Sequence, residues 1–134
     1  MKPTLKKEIL PKKIITRKDE IASDFLNLVD VHINELLSGT VSKRFSSSDF
    51  AARLFIHPRH LTNTIKLALN ESPCDIMENR LVAEAQTMLK DSALSIAEIG
   101  ARLGYTEATN FTKFYKGMTN QTPLQYRKQN LSEK

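Results

Sequence analysis

The chain has 134 residues, 40% of them hydrophobic, enough for one compact domain or for two small units sharing an element. No apolar run approaches the length of a membrane span, and no apolar signal core follows the basic N-terminus, so neither a spanning helix nor secretion is expected. The single cysteine, Cys74, has no internal disulfide partner, which fits a reducing cytoplasm, and the net charge of +5 is unevenly spread.

Residues 1–18 carry seven Lys or Arg against one Glu, a net +6, while residues 19–134 hold thirteen bases against fourteen acids, a net −1. The first stretch reads as a basic arm, interrupted by Pro3 and Pro11. It suits salt-dependent attraction to nucleic acid, and equally a solubilising tail or a linker. The rest is nearly neutral, so the overall charge alone does not argue for nucleic acid.

From about Glu20 to Leu37, the residues Ile21, Phe25, Leu28, Val29, Ile33, Leu36 and Leu37 recur at helical spacing, and Gly39 stops the run. Residues 40–45 read as a loop. A helix pair is expected over about 47–55 and 58–69, then a long helix from Pro73 to about Lys90 with Met77, Leu81, Ala85 and Met88 on one stripe. At 1.5 Å per residue that helix spans roughly 27 Å. A second pair is expected over about 96–103 and 107–117, and a short last helix after Pro123. No segment alternates convincingly as a strand, so the predicted fold is all-α, with about seven helices.

The two pairs are copies of one another. Ser46-Ser47-Ser48-Asp49-Phe50-Ala51-Ala52-Arg53-Leu54 aligns with Ser95-Ile96-Ala97-Glu98-Ile99-Gly100-Ala101-Arg102-Leu103. After one extra residue in the second copy, Leu61-Thr62 aligns with Phe111-Thr112, Ile65-Lys66 with Tyr115-Lys116, and Asn70-x-Ser72-Pro73 with Asn120-x-Thr122-Pro123. Two copies are too few for a solenoid; they read as two similar heads on one scaffold. Each head opens on a Ser with an acid three residues on, the capping-box pattern. Each has small residues in its first helix and a tight turn, with Pro58 suited to start the next helix and Gly104 suited to a positive φ. Each second helix ends on an Asn able to adopt the left-handed stop. Helix, short turn, helix is the helix-turn-helix layout. The expected organisation is an arm over 1–18, a first head over 19–72, a linker helix over 73–90, a second head over 91–130 and a tail over 131–134.

These residues resemble the AraC/XylS family of bacterial transcription regulators over roughly residues 20–128. The resemblance is strongest in Ser95-Ile96-Ala97-Glu98-Ile99-Gly100, Leu103-Gly104-Tyr105, Phe111-Thr112-Lys113-Phe114-Tyr115-Lys116 and Thr122-Pro123-Leu124-Gln125-Tyr126-Arg127. It implies two helix-turn-helix subdomains joined by a linker helix, and sequence-specific DNA binding. The chain departs from the family where Asn63 and Lys113 stand in place of a frequent Arg, where Asn70 and Asn120 replace Gly, and where Phe55 replaces a small residue. The Arg replacements bear on base preference, because Arg grips guanine and Asn favours adenine.

In a helix-turn-helix the N-terminal half of the second helix enters the major groove. Its expected base-contacting residues are Arg59, Thr62 and Asn63 in the first head and Thr109, Asn110 and Lys113 in the second. Lys66 and Lys116 are expected on phosphate, and the helix N-termini at Ser46 and Ser95 offer further phosphate contacts. Each has a plainer alternative: a solvated charge for Arg59 and the lysines, capping or packing for Thr62 and Thr109. Tyr126 and Arg127 are expected to pack the last helix under the second head.

His57, His60 and Cys74 lack a fourth ligand, and Pro58 separates the histidines, so no metal is expected. No nucleophile–base arrangement or phosphate loop is apparent, so no enzyme and no cofactor is expected. The expected partner is double-stranded DNA, with RNA polymerase a candidate second partner and no membrane. The chain is expected to act as a monomer in the cytoplasm. The alternatives are a DNA-binding piece of a larger effector-sensing regulator, and a helical adaptor that binds a protein through apolar grooves.

Overall fold

The computed structural model describes residues 16–131, which form seven helices and no strand. They are α1 (Arg17–Ser38), α2 (Ser47–Arg53), α3 (Pro58–Leu69), α4 (Pro73–Asp91), α5 (Ile96–Arg102), α6 (Ala108–Thr119) and α7 (Pro123–Leu131).

Local chemistry sets most helix ends. Thr16, Ser46, Ser72 and Ser95 each accept the backbone N–H three residues on, and the acids Asp19, Asp49, Asp75 and Glu98 reach back to the cap N–H. Each box satisfies two of the donors a helix start leaves orphaned. The N–H groups of Ser46 and Ser95 hold the Asp49 and Glu98 carboxyls below their ordinary range, helped by the serine hydroxyls. The Thr16 box starts α1 at Arg17, earlier than apolar periodicity suggests, so Arg17 and Lys18 belong to this helix. The arm residues 1–15 lie outside the described residues. Gly39 ends α1 at φ 83°, and Asn70 and Asn120 end α3 and α6 at φ 64° and 65°. Pro58, Pro73 and Pro123 each stand first in a helix.

The first head packs α1 and α2 against α3. Phe25 meets Phe50 edge-on at 5.3 Å, and His32 stacks on Phe45 at 3.9 Å. Leu61 and Ile65 of α3 are fully buried in this core. Each such side chain contributes roughly 1.5–3 kcal/mol of burial.

The central helix α4 buries Ile76, Met77, Leu81, Ala85 and Leu89. Leu89 takes the place expected of Met88, which is half-buried, because steps of four residues keep one ridge facing the neighbouring helices. An Asp30–Arg80 ion pair ties α1 to α4. The second head packs α5 on α6 around Ile99, Leu103, Phe111 and Tyr115. α7 returns onto both α4 and α6. Arg127 goes further than packing: its Nε donates to the Leu89 carbonyl at 2.9 Å, and a terminal nitrogen donates to the Ser92 carbonyl at 3.3 Å. A cation there satisfies the orphan carbonyls of α4 and opposes its C-terminal dipole.

Candidate nucleic-acid interface

In both heads the second helix has one buried and one free face. On α3, Leu61, Thr64 and Ile65 face inward, while Arg59, Asn63 and Lys66 are exposed. On α6, Phe111 and Tyr115 face inward, while Thr109, Asn110, Lys113 and Lys116 are exposed. Thr62 is half-buried and sits at the edge of its helix's free face. No side-chain hydrogen bond or ion pair within the described residues engages Arg59, Asn63, Lys66, Thr109, Asn110, Lys113 or Lys116. Their donors and acceptors are open to a ligand.

Charge is sorted by element. α3 and α6 contain no Asp or Glu, and carry Arg59, Lys66, Lys113 and Lys116. α1 and α4 together hold nine acids against four bases. A nearly neutral fold thus keeps its acids off α3 and α6, which a global count conceals.

The N-terminus of α3 is set by the ring of His57, whose Nδ1 accepts the Arg59 N–H at 3.1 Å, with Pro58 following in the first turn. α6 starts at Glu107 without a side-chain cap. Buried tyrosine anchors α6 instead: Gln86 of α4 donates to the Tyr115 hydroxyl at 3.3 Å, and burial pushes that phenol above its ordinary range.

Ser46 and Ser95 sit at the starts of α2 and α5, where their N–H groups donate to Asp49 and Glu98, each at 2.8 Å. Both serines thus act as helix caps, and the phosphate contacts expected of them stand beside these carboxylates.

The repeat register points to a residue outside the predicted set. His60 stands where Asn110 stands in the second head, and it is exposed, with Nδ1 3.4 Å from the Thr64 hydroxyl. The alignment of Leu61 with Phe111 already pairs His60 with Asn110. No group of three or more His, Cys, Asp or Glu with metal-binding geometry occurs among the described residues, and no described helix is long and apolar enough to cross a membrane.

The comparisons with known proteins agree with this fold. A sequence model described as a helix-turn-helix domain matches residues 50–129. An uncharacterized HTH-type transcriptional regulator of Bacillus subtilis (strain 168), YfiF, is 27% identical over 106 residues, covering 79% of this chain. The match takes in 32% of that relative, so the chain spans about a third of its length. The C-terminal domain of AraT, a response regulator from Geobacillus stearothermophilus, superposes with a TM-score of 0.74 at 23% identity, covering 85% of this chain and 88% of that one. The DNA-binding domain of AdpA, a global transcriptional factor solved in complex with a target DNA, superposes with a TM-score of 0.64 at 18% identity, covering 77% and 96%. With two copies of one helix pair on a shared central helix, and with this family match over most of both, the chain belongs to the AraC-type helix-turn-helix family of DNA-binding transcription regulators.

Proposed function

We propose that this chain regulates transcription by binding one asymmetric double-stranded DNA site, with α3 and α6 in successive major grooves. The observation that carries the reading is that α3 and α6 hold no acid and expose Arg59, Asn63, Lys66, Thr109, Asn110, Lys113 and Lys116 without a side-chain partner among the described residues. Because one chain supplies both heads, a monomer covers a site of about 20 base pairs, two turns of duplex. α4 has 19 residues and spans about 28 Å, less than the roughly 34 Å of a helical turn. Both heads engage together only if they tilt or the DNA bends, and bending costs several kcal/mol.

In this reading Arg59, Thr62 and Asn63 read one half-site, and Thr109, Asn110 and Lys113 read the other. Arg59 pairs with guanine O6 and N7, and Asn63 or Asn110 with adenine N6 and N7. Lys66 and Lys116 neutralise phosphates. Selection of bound sequences from a random duplex pool tests it, followed by affinity against salt. An asymmetric motif with two half-sites one turn apart is expected. Steeply salt-dependent binding without a motif contradicts it. Arg59→Ala is expected to weaken binding by about 1–3 kcal/mol and to relax preference at one end of the site only.

A further inference from the structure

Two heads on one helix read a spaced pair of half-sites only as strictly as their mutual orientation is held. α4 joins the heads, but packing between them elsewhere is incomplete. α1 touches α5 near its C-terminal end, yet a groove of about 360 Å³ stays open there, lined by Leu36, Leu37, Val41, Ala101 and Arg102. Apolar contact with such a gap resists sliding poorly, because the facing atoms forgo their dispersion partners.

Elsewhere a side chain crosses from head to head. Arg44, in the loop between α1 and α2, lays its guanidinium over the Tyr105 ring with its central carbon 4.0 Å from the centroid. Tyr105 is itself buried and packs on Phe111 and Phe114, inside the second head. The root of the Arg44 side chain is anchored in the first head by the next residue: the Phe45 N–H donates to Nε2 of buried His32 at 2.9 Å, and its ring stacks on that imidazole. The second head has made room for the crossing. A Cβ on Gly104 would lie 2.7 Å from Arg44 Cγ. The Arg44 Nε is buried without a hydrogen-bond partner, so stacking and close packing orient this guanidinium at that atom. The first head's turn has no such visitor; Phe55, the counterpart of Gly104, is 93% exposed.

We infer that Arg44 is a positioning residue that sets the angle between α3 and α6, and so the half-site spacing the protein accepts. The inference rests on the two-groove reading above. It assigns Arg44 no base and no phosphate. Its effect is on which pairs of half-sites are bound, because inserting one base pair moves a half-site about 3.4 Å along the duplex and about 34° around it. A latched pair of heads resists that change; an unlatched pair follows it.

The test uses the full chain and the selected operator, with the spacer lengthened or shortened by one base pair. Wild-type protein should lose affinity sharply on both altered spacers. Arg44→Met keeps an apolar stem against Gly104 and removes the cation over Tyr105. It should shrink the spacing penalty by about threefold to tenfold, the range expected of a half-buried cation–π contact. Arg44→Lys keeps a cation without the flat guanidinium and should fall between the two. Helical circular dichroism and a melt accompany each variant; if Arg44→Met is unfolded, Arg44→Lys carries the same comparison. A variant that weakens binding equally at all spacers, or leaves the spacing profile as in wild type, overturns the inference. A wild-type protein that binds all three spacers alike refutes the two-groove reading itself, which separates the two failures.

Discussion

The two heads solve the same local problems with different residues, and the differences locate their strain. At the turn, the first head has Phe55 at φ 60° and the second has Gly104 at φ 93°. A left-handed conformation costs an L-residue with a side chain roughly 1–2 kcal/mol, which glycine avoids. Phe55 recovers none of this through burial, being 93% exposed. At the crossing of the two helices the second head sets Gly100 against Phe111, and the repeat puts the buried Ala51 and Leu61 at the same two places in the first head. A Cβ on Gly100 would meet the Phe111 Cβ at 2.9 Å. Small and large residues are thus exchanged in pairs. The first head carries strain in its turn, and the second has spent its spare room on close packing and on the Arg44 crossing.

That contrast can be broken most strongly at Gly104. Gly104→Ala is expected to destabilise by about 2–3 kcal/mol, combining the left-handed penalty with displacement of Arg44. Denaturant unfolding measures it, and a loss below half a kcal/mol would show that the crossing yields easily. Gly100→Ala should cost less, about 1–2 kcal/mol, because overpacking against Phe111 is partly offset by the better helix propensity of Ala. Adding Phe111→Leu copies the Ala51–Leu61 pair of the first head. The double variant should be more stable than the sum of the two single effects predicts, and simple additivity would contradict the pairing.

The opposite sign is expected in the first turn. Phe55→Gly should stabilise by about 0.5–1 kcal/mol, since relief of the left-handed penalty exceeds the entropy cost of glycine. A destabilised Phe55→Gly protein would mean that the ring has contacts worth more than its strain.

The gentlest effect, between pH 7 and pH 6, belongs to the first head alone. His32 is 1% exposed, its Nε2 accepts the Phe45 N–H, and its Nδ1 has no partner. Burial lowers its pKa from the ordinary value, with Arg53 adding to that and Glu35 and Asp49 opposing it. The unfolded chain therefore takes up this proton first, near pH 6.5, and the folded imidazole only at lower pH. The stability due to neutral His32 is complete above that value and declines as pH falls below it. His32→Gln should flatten this part of the pH profile in chemical denaturation; an unchanged slope would remove His32 as its source.

Much of the architecture was legible in the chain because its signals are local. A Ser with an acid three residues later, a Pro at the first helical position and an Asn at the last each act within one turn of helix. Periodicity carried Met77, Leu81 and Ala85 of the buried stripe of α4, but left out Ile76 and put Met88 where Leu89 stands. The register of the repeat likewise paired the exposed faces of α3 and α6, including His60 with Asn110. What escaped was long-range and polar. Phe45 and His32 are separated by 13 residues, and Arg127 and Leu89 by 38, so no local pattern connects them. Arg44 lies in what reads as an ordinary basic loop. The charge sorting was hidden for a related reason: it appears only once acids and bases are assigned to helices rather than summed.

By itself, the sequence determined the helices, their ends, the twofold repetition of one helix pair and the faces each helix buries, because capping and amphipathic periodicity are properties of neighbouring residues. Only the tertiary structure decided how the heads meet. Arg127 closing the end of α4 and Arg44 lying across Tyr105 depend on groups brought together by folding, and no pattern of neighbouring residues announces either contact.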